Sequence, residues 1–335
     1  MTIEKLARIL KVSSRTISGV INNKSYVNGK TRERILVAID KYNFIPNSVA
    51  QQLIYRKSRV IVFICYDISH PFIKEVIRGI NTVAEENNYV TIFINSDRNL
   101  EKERAAINFC RSYKVAGIII QPVDSISNES LFNCLKQENI PFVMISKIRL
   151  NTNYVIAGDD KIIAYEAVNY LLSIGYKKIA YIGPTYPHTV NCERLNGYKE
   201  ALEEHKLSLN DEWIISENSN SLLAGYNACT RLLDKAEKPE AIFAFSDLVA
   251  VGCIKAIKDK GLKIPDDLAV IGVDDIEYAE YCEVPLTTMA LPKFELGVKA
   301  TETLFDIING RGKGYFKIIL QPELIIRKSC GNSKG

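Results

Sequence analysis

A small polar and cationic group near the start of the sequence has the clearest chemical potential in the chain. It lies on one face of a helix predicted over residues 12–22 (VSSRTISGVIN), and its members are Ser14, Arg15 and Ser18. Hydroxyl and guanidinium groups on an exposed helix can hydrogen-bond to the phosphates and base edges of DNA. These residue types therefore make nucleic acid the first ligand to consider.

The residues around this group indicate how the helix is held. Ser13 is a good N-cap because its hydroxyl can accept a free backbone N–H. The face opposite the polar group carries Ile17, Val20 and Ile21. A preceding helix over residues 3–10, capped by Thr2, carries Leu6, Ala7, Ile9 and Leu10, and these side chains can pack against that face. The pattern predicts a helix-turn-helix whose second helix enters the DNA major groove N-terminus first. A small helical bundle without DNA binding is the alternative.

Charge is concentrated in the same region. Residues 1–59 contain twelve Lys and Arg against three acidic residues, a net charge of +9, whereas the whole chain carries +4. The rest of the chain is therefore mildly acidic. Because phosphate neutralisation supplies most of the non-specific affinity for DNA, this distribution indicates a polyanionic partner for the head only.

Length and composition predict a globular protein of two or three domains, with 335 residues and 47% hydrophobic content. No apolar run approaches the roughly 20 residues that span a bilayer. The first residues carry no signal-peptide pattern, so we expect a cytoplasmic protein without membrane contact. The eight scattered cysteines are expected to be buried free thiols. The three histidines offer no metal-ligand spacing, and no cofactor is expected.

A third helix and a linker complete the head. Asn28 can cap a helix over residues 31–42. One face of this helix, which carries Ile35, Leu36 and Ile39, is expected to pack against the first two helices. Pro46 then ends the head. The next segment, PNSVAQQLIYRKS, has helical spacing at Val49, Ala50, Leu53 and Ile54 but is too short to hold a helix alone in water. A linker helix that forms only on DNA and an ordinary flexible linker are both consistent with it.

From Arg59 onward, apolar strands alternate with helical patterns. A first series contains VIVFICY, VTIFI, GIII and FVMIS, and a second contains KIAYIG, WIIS, AIFAF and AVIGV. Such alternation predicts parallel sheets covered by helices on both faces. Two series imply two similar lobes with a ligand cleft at the carboxyl ends of the strands. The last stretch, FKIILQPELIIRKS, is predicted as one closing strand.

Enzyme signatures are missing from the sequence. It contains none of the phosphate-loop, nucleophile-elbow, dinucleotide-binding or zinc-protease motifs. GRGKG at residues 310–314 follows a predicted helix rather than a strand, so we interpret it as a surface turn. A solute receptor and a doubly wound enzyme are the alternatives to a DNA-binding regulator. The basic head argues against the first, and the missing motifs argue against the second.

Ordered segments along almost the whole chain resemble the lactose-repressor/galactose-repressor (LacI/GalR) family of bacterial transcription regulators. They include TIEKLARILKVSSRTISGVIN, SHPFIKEVIRGI, YLLSIGYKKIAYIG, RLNGYKEAL, FSDLVAVGCIKAIKDKGLKIPDDLAVIGVDD, LTTM and PELIIRKSC. The resemblance implies an all-α helix-turn-helix head and a hinge helix, joined to a two-lobed α/β core like that of periplasmic sugar-binding proteins. It divides the chain into residues 1–45 (head), 46–59 (hinge), 60–158 with 291–319 (N-terminal lobe) and 159–290 with 320–331 (C-terminal lobe).

The resemblance assigns DNA contacts to the head and the hinge. Ser14 and Arg15 match positions that read major-groove base edges, where an Arg can pair with guanine. The other expected contacts are Ser13, Thr16, Ser18, Asn22 and Asn28 on the head and Ala50, Gln51 and Leu53 on the hinge. Capping or local hydrogen bonding is the alternative role of Ser13, Thr16 and Asn22. Gly19 stands where the family usually has an arginine and supplies no side-chain contact.

The resemblance also assigns an effector site to the cleft. Arg194 and Asp274 match the family's ligand-gripping positions, and we expect them to face each other across the cleft and to bind sugar hydroxyls. Phe72 is expected to stack on the ligand. Weaker candidates from loops at the rim are Tyr66, Asp67, Ser146, Lys147, Asp159, Asn220 and Asp247. The alternatives are a strand-end cap for Asp274, a surface salt bridge for Arg194 and core packing for Phe72. Because Lys147 is a cation at the expected rim, a phosphorylated or acidic sugar is also possible as the effector.

The expected function is a ligand-controlled repressor of a carbohydrate uptake or catabolism operon. The expected partners are double-stranded, pseudo-palindromic operator DNA, a small sugar-like effector that releases it, and a second copy of the chain in a homodimer. Two such dimers joined in a tetramer are a further option. The alternative within the family is a corepressor, a purine or a partner protein, that tightens DNA binding.

Leu53 generates a first prediction, because it matches the hinge residue that enters the minor groove and kinks the central base step. Leu53→Ala should weaken operator binding far more than binding to random DNA, since only the specific complex contains the kink. Titration of labelled operator and scrambled duplexes at matched salt measures both affinities. Equal losses on the two duplexes would contradict this role.

Overall fold

The computed structural model describes residues 1–21, 24–44, 58–124, 127–145, 154–185, 189–312 and 316–331. It divides the chain into two compact units, Met1–Ser58 and Arg59–Gly335. The hinge candidates Ala50, Gln51 and Leu53 lie outside the described residues, as do Asn22, Ser146 and Lys147.

The described residues of the head, 1–21 and 24–44 in the first unit, form three helices: Ile3–Leu10, Ser14–Ile21 and Gly29–Lys41. Each is capped by the residue expected from the sequence, although the third helix begins at Gly29 rather than at residue 31. Thr2 Oγ1 accepts the Lys5 N–H at 3.3 Å, Ser13 Oγ accepts the Thr16 N–H at 3.0 Å, and Asn28 Oδ1 accepts the Lys30 N–H at 2.9 Å. Side-chain capping of free backbone donors therefore sets all three starting points.

The head closes over a small apolar core formed by Leu6, Ala7, Ile17, Val20, Val27, Ile35, Ala38 and Phe44. Two expected core residues are exposed instead, Ile9 by 44% and Leu36 by 48%. With about 3.6 residues per turn, Ile35 and Ala38 share one helix face, and Leu36 is rotated away from it. The expectation for these two side chains was wrong because each lies beside the apolar stripe rather than on it.

The described part of the second unit contains two six-stranded sheets. The first sheet has strand order β11-β5-β4-β3-β1-β2, with every neighbouring pair parallel. Its strands are β1 Val60–Cys65, β2 Val90–Asn95, β3 Gly117–Ile120, β4 Phe142–Ile145, β5 Tyr154–Gly158 and β11 Phe316–Leu320. We call this sheet with its helices the first lobe.

The second sheet has order β12-β10-β9-β8-β6-β7 and is parallel except for the antiparallel pair β10 and β12. Its strands are β6 Ile179–Pro184, β7 Ile214–Glu217, β8 Ala241–Ala244, β9 Ala269–Asp274, β10 Thr287–Ala290 and β12 Glu323–Ile325. We call this sheet with its helices the second lobe.

Helices cover both faces of each sheet, as the strand pattern predicts. Along β1, Ile61 and Phe63 enter one apolar cluster while Val62 and Ile64 enter another. The first lobe has the helices Pro71–Glu86, Leu100–Ser112, Glu129–Gln137 and Lys293–Ile308. The second has Asp160–Ser173, Thr189–Glu204, Leu222–Leu233, Asp247–Asp259 and the short Glu277–Tyr281, plus a 3-10 turn at Asp211–Trp213. Within the described residues, no helix combines the length and apolar character that a membrane span needs.

Two features of the sheets differ from the sequence prediction. FKIILQPELIIRKS does not form one strand: it forms β11 in the first sheet and β12 in the second. Pro322 lies between them and lacks the N–H that a continuing ladder requires. The strand Tyr154–Gly158 was also not anticipated.

All eight cysteines are free thiols, as expected. Five are buried: Cys65, Cys110, Cys229, Cys253 and Cys330. The other three, Cys134, Cys192 and Cys282, are only partly buried. The expectation of buried side chains therefore holds for most of the thiols, and for these five burial reflects ordinary core packing.

Glycines let three helix pairs approach at backbone distance. A Cβ added to Gly79 would lie 2.2 Å from the Phe294 carbonyl oxygen, and one added to Gly197 would lie 2.1 Å from that of Lys161. At Gly225 the distance to the Val249 carbonyl oxygen would be 2.1 Å. Because the obstacle is backbone, even one methyl group would force the helices apart.

Gly197→Ala tests this close approach through the sign of its effect. Helix propensity alone would make the alanine variant more stable by roughly 0.5–1 kcal/mol, whereas the clash should lower the free energy of unfolding by about 1–3 kcal/mol. Urea denaturation measures that quantity. The control is Asn196→Ala on the exposed side of the same helix, which should be at least as stable as the parent protein because alanine favours helix. A stabilised Gly197→Ala variant would show that the helices are not held by contact at this glycine.

Candidate functional site

A cavity lies between the two lobes at the carboxyl ends of their strands. It contains about 730 Å³ of space not occupied by protein atoms, part of it open to solvent. The first lobe contributes Tyr66, His70, Phe72, Gln121 and Ile145, and the second contributes Asp160, Arg194, Asn220, Phe245 and Asp274. The cleft therefore lies where the strand pattern placed it.

Arg194 is the most constrained charged group of the cavity. It is 4% exposed, and its Nε and NH2 groups lie 3.0 Å and 2.9 Å from Asp160 Oδ1. Its NH1 group donates to the carbonyl oxygen of Phe245. Burial alone would lower the pKa of Arg194, but the carboxylates of Asp160 and Asp274 raise it above its ordinary value, so the guanidinium stays charged.

Asp274 ends β9 in an unusual backbone conformation. Its φ is +110°, and that of Asp275, the next residue, is +50°. Residues other than glycine rarely adopt positive φ values. Lys293 Nζ donates to the carbonyl oxygens of both aspartates and so reaches this turn from the first lobe. Such strain is typical of ligand-binding positions held by surrounding contacts.

The Asp274 side chain is buried but available to a ligand. It is 5% exposed and lines the cavity, and within the described residues no donor hydrogen-bonds to its carboxylate. Burial raises the pKa of Asp274, while Arg194, His70 and Lys293 oppose the increase. A buried carboxylate of this kind is stabilised by a ligand that donates hydrogen bonds to it.

A polar chain joins the two lobes beside the cavity. His70 precedes the helix Pro71–Glu86, and its Nδ1 accepts the Phe72 N–H at 3.3 Å. Its Nε2 lies 3.2 Å from the side-chain amide of Asn220, and that amide also hydrogen-bonds to Ser246 Oγ. Burial lowers the pKa of His70 below its ordinary value of 6.5, although Asp274 and Asp67 oppose that decrease. The imidazole is therefore neutral at pH 7.

The first lobe presents a mostly apolar and aromatic surface to the cavity. Phe72 and Tyr66 line it, and the guanidinium of Arg98 lies 4.8 Å from the centre of the Tyr66 ring. Gln121 is a polar exception, as is His70, and its Oε1 is buried without a hydrogen-bond partner among the described residues. An unpaired buried acceptor at a cavity can be satisfied by a ligand hydroxyl.

The cavity brings together five of the residues singled out in the sequence: Tyr66, Phe72, Arg194, Asn220 and Asp274. One expectation about them needs correction. Arg194 and Asp274 do not face each other across the cleft, because both belong to the second lobe. They lie on the same side of the cavity, close enough for the charge of each to shift the pKa of the other.

Three further candidates have other contacts and do not line the cavity. Asp159 caps the helix Asp160–Ser173 by accepting the N–H groups of Lys161 and Ile162. Asp247 is fully buried and accepts from Thr288 Oγ1 at 2.6 Å and from the Ile276 N–H at 2.9 Å.

Asp67 holds the loop after β1. It accepts from Ser69 and forms an ion pair with Arg98 at 3.3 Å. Burial opposes these contacts, but together they lower the pKa of the Asp67 carboxyl. Its carboxylate is therefore committed to the loop.

Four polar or aromatic lining residues were missed from the sequence: His70, Gln121, Asp160 and Phe245. For two of them a signal was present, since His70 stands directly before a strand-to-helix proline and Asp160 is the second aspartate of GDD. The position of each aspartate on the helix decides which one reaches the cavity: Asp159 caps the helix, and the side chain of Asp160 lines the cavity. Gln121 and Phe245 follow strands β3 and β8, and nothing local marks them.

The head carries the candidate DNA-contacting side chains. Arg15 is exposed, and Ser14 and Ser18 are partly exposed on the helix Ser14–Ile21. Ser13 caps this helix, and its Oγ lies 2.8 Å from Thr16 Oγ1, while Asn28 caps the third helix. Ser13, Thr16 and Asn28 thus have local hydrogen bonds, and Arg15 extends into solvent.

No group of three or more His, Cys, Asp or Glu within the described part of the chain is arranged to hold a metal ion. Polar side chains at the cavity instead offer both donors and acceptors to an organic ligand. Arg194 is the donor, and Asp274 and Gln121 are acceptors.

Two family models match the chain. Residues 2–47 match the model described as bacterial regulatory proteins, lacI family, and residues 168–330 match the periplasmic binding protein-like domain. The first match covers the helix-turn-helix region, and the second covers most of the second lobe.

Similar proteins match almost the whole chain. The ribose operon repressor of Haemophilus influenzae is 31% identical over 335 residues, 99% of each chain. The HTH-type transcriptional repressor PurR of Histophilus somni is 32% identical over 329 residues, 98% of each chain. The structure of the lac repressor dimer bound to operator and the anti-inducer ONPF has a TM-score of 0.87 and 25% identity, over 99% of both chains.

The neutral His70 makes stability depend on pH. Below about pH 6.5 the unfolded chain takes up a proton at this residue that the folded protein resists, so the free energy of unfolding should fall as pH decreases from 7.5 to 5.5, by at most about 1.4 kcal/mol per pH unit. Asn at this position can still cap the helix by accepting the Phe72 N–H. His70→Asn should therefore lose this part of the slope, and urea denaturation across the same pH range measures it. Parallel slopes for the two proteins would exclude a buried neutral imidazole.

Proposed function

Because the chain belongs to the lacI family of bacterial regulatory proteins, we propose that it is a repressor controlled by a small sugar-like effector in the interlobe cavity. The resemblance seen in the sequence is confirmed by a relative that is 31% identical over almost the whole chain. The family comprises DNA-binding transcription regulators rather than enzymes. The effector, its action on DNA and the regulated operon are the proposed part.

The observation that carries the proposal is that the fixed guanidinium of Arg194 and the carboxylate of Asp274, which accepts no hydrogen bond from the described residues, line the same cavity. Sugar hydroxyls both donate and accept, so neighbouring hydroxyls of one ring can donate to Asp274 and accept from Arg194. Phe72 and Tyr66 supply the apolar surface on which the C–H face of a sugar ring packs. The ribose operon repressor among the relatives makes a pentose the first sugar to test.

Charge favours a neutral ligand. Among the described lining residues, Arg194 is the cation, and it already shares its charge with Asp160, while Asp274 adds a second carboxylate. A phosphate or carboxylate group placed here would face like charge at short range. We therefore favour an unphosphorylated sugar.

A purine corepressor is the second candidate. It is favoured by the relative PurR, which is 32% identical over 98% of each chain, and by the aromatic side chains Tyr66, Phe72 and Phe245 at the cavity. A planar base would stack on such rings. The two candidates differ in the sign of their effect: a sugar inducer releases the operator, and a purine corepressor tightens binding to it.

The DNA partner is inferred to be a pseudo-palindromic duplex read by two copies of the chain. The basic head with exposed Arg15 supports the DNA contact, and the dimeric operator complex of the lac repressor supports the two-fold arrangement. Large apolar side chains on the second lobe are exposed and offer surface for a partner copy: Leu222, Leu223, Tyr278 and Tyr281.

Effector control requires a coupling free energy between effector binding at the cavity and DNA binding by the heads. A ligand between the lobes contacts both of them, next to the His70–Asn220 contact that already joins them. We propose that ligand binding shifts one lobe against the other and thereby alters the joint geometry of the two heads on DNA. By linkage, operator must change effector affinity by the same factor.

Fluorescence anisotropy of a labelled duplex from the protein's own promoter region tests the function, with a scrambled duplex at matched salt. Ribose or another neutral sugar should release the promoter duplex and leave the scrambled one unaffected. Asp274→Asn should raise the sugar concentration needed by at least about tenfold, because a hydrogen bond to a charged group contributes roughly 1.5–3 kcal/mol. Asp159→Asn, a carboxylate outside the cavity, is the matched control and should respond like the parent protein.

The contrary outcomes are distinct. A purine that tightens promoter binding would replace the sugar proposal with the corepressor. Equal sugar responses in the Asp274→Asn and Asp159→Asn variants would remove Asp274 from the site. Equal binding to promoter and scrambled duplexes would contradict sequence-specific DNA recognition.

A further inference from the structure

A tyrosine ring occupies the place of the missing side chain on the second helix of the head. We propose that Tyr26 is a base-contacting residue whose ring edge packs on a thymine methyl group in the major groove of the operator. The inference rests on the proposed function, because it requires the helix Ser14–Ile21 to enter that groove. It assigns a role in sequence preference to a residue outside the helix.

Gly19 and Tyr26 form a matched pair. A Cβ built on Gly19 would lie 2.5 Å from Tyr26 Oη and 2.8 Å from Tyr26 Cζ. Both distances are far shorter than the roughly 3.5–4.0 Å of carbon–carbon contact. The phenol ring therefore covers the space that a side chain at position 19 would occupy, and a side chain there would have to displace the ring.

The ring lies on the helix face that carries the exposed arginine. Tyr26 Oη donates to the carbonyl oxygen of Arg15 at 3.3 Å. Arg15 and Gly19 are four residues apart and share a face of the helix. Tyr26 is nevertheless 63% exposed, so the ring presents most of its surface outward beside Arg15.

The loop that carries Tyr26 is anchored to the head on both sides. The Lys24 N–H donates to the Gly19 carbonyl at 2.8 Å, and Arg32 NH2 donates to the Lys24 carbonyl at 2.5 Å. Val27, the next residue, is buried in the head core. The ring is thus held in place before DNA binds, which lowers the entropy lost on contact.

The chemistry of the exposed part selects its partner. The Tyr26 hydroxyl hydrogen is committed to the Arg15 carbonyl, so the hydroxyl cannot also donate to a phosphate or a base acceptor. What remains is an apolar ring edge. The apolar group that base pairs display in the major groove is the C5-methyl of thymine, which aromatic side chains contact.

The test uses the full chain and its preferred duplex, obtained by selection from a randomised library. Each thymine of one half-site is then replaced by uracil, which keeps the base pairing and removes only the methyl group. At one position the parent protein should prefer thymine by about fourfold, the value that corresponds to burying one methyl group. Tyr26→Ala should bind the thymine and uracil duplexes equally at that position. Tyr26→Phe should keep the preference because the ring edge remains.

Two further variants separate base contact from folding and from charge. Gly19→Ala adds the methyl group that displaces the ring and should abolish the same preference, while circular dichroism shows an intact head because alanine favours helix. Lys24→Ala removes an exposed cation from the Tyr26 loop. It should weaken binding to every duplex alike and leave the thymine preference unchanged.

Two results would overturn the inference while leaving the proposed function intact. One is a thymine preference that survives in Tyr26→Ala. The other is a uniform loss of affinity in Tyr26→Phe on all duplexes, as a phosphate-bound hydroxyl would give. If the parent protein selects no sequence from the library, the proposed function and this inference both fail.

Discussion

The buried ion pair between Arg194 and Asp160 holds the polar side of the cavity in place. Both side chains are almost inaccessible to solvent, and a charge removed from water is costly unless it is paired and hydrogen-bonded. Here the pair also uses the carbonyl oxygen of Phe245 at the end of β8, so Arg194 is fixed from two directions. The guanidinium is oriented before any ligand arrives and keeps further N–H groups for it.

This pair depends in turn on a glycine one helical turn away. Asp160 begins one helix and Arg194 lies on another, and these helices approach where Gly197 meets the carbonyl of Lys161. Lys161 follows Asp160 directly, and Gly197 lies three residues after Arg194. The backbone contact and the ion pair are therefore two consequences of one helix crossing. Because Gly197 lets the helices approach closely, the guanidinium of Arg194 can reach the carboxylate of Asp160.

The two lobes contribute differently to the cavity, which bears on control of DNA binding. The second lobe provides the fixed charges, whereas the first provides aromatic surface and the unpaired oxygen of Gln121. Contacts that cross between the lobes at the cavity include His70 to Asn220 and Lys293 to the strained turn at Asp274. A ligand that satisfies Asp274 and packs on Phe72 adds to these same contacts. Its binding free energy can therefore favour one arrangement of the lobes over another.

The sequence by itself determined most of the elements and their order, apart from the strand Tyr154–Gly158 and the division of the last apolar stretch into two strands. Capping at Ser13 and Asn28, the apolar stripes of the head and the alternating strands of the core are local features, because each depends on residues within a few positions along the chain. The family resemblance added Arg194 and Asp274, and the structure places both at one cavity. These parts could be predicted because backbone hydrogen bonding and helix periodicity are legible over short spans.

Only the tertiary structure decided which of two adjacent residues reaches the cavity and which side chains from distant parts of the chain lie together. It turned Asp160 rather than Asp159 into the cavity, placed Arg194 and Asp274 on one lobe, and set Tyr26 over Gly19. It also divided the last apolar stretch between two sheets at Pro322. Each of these outcomes depends on the packing of elements far apart in sequence, and a side chain at the end of an element has no periodic neighbours to reveal its direction.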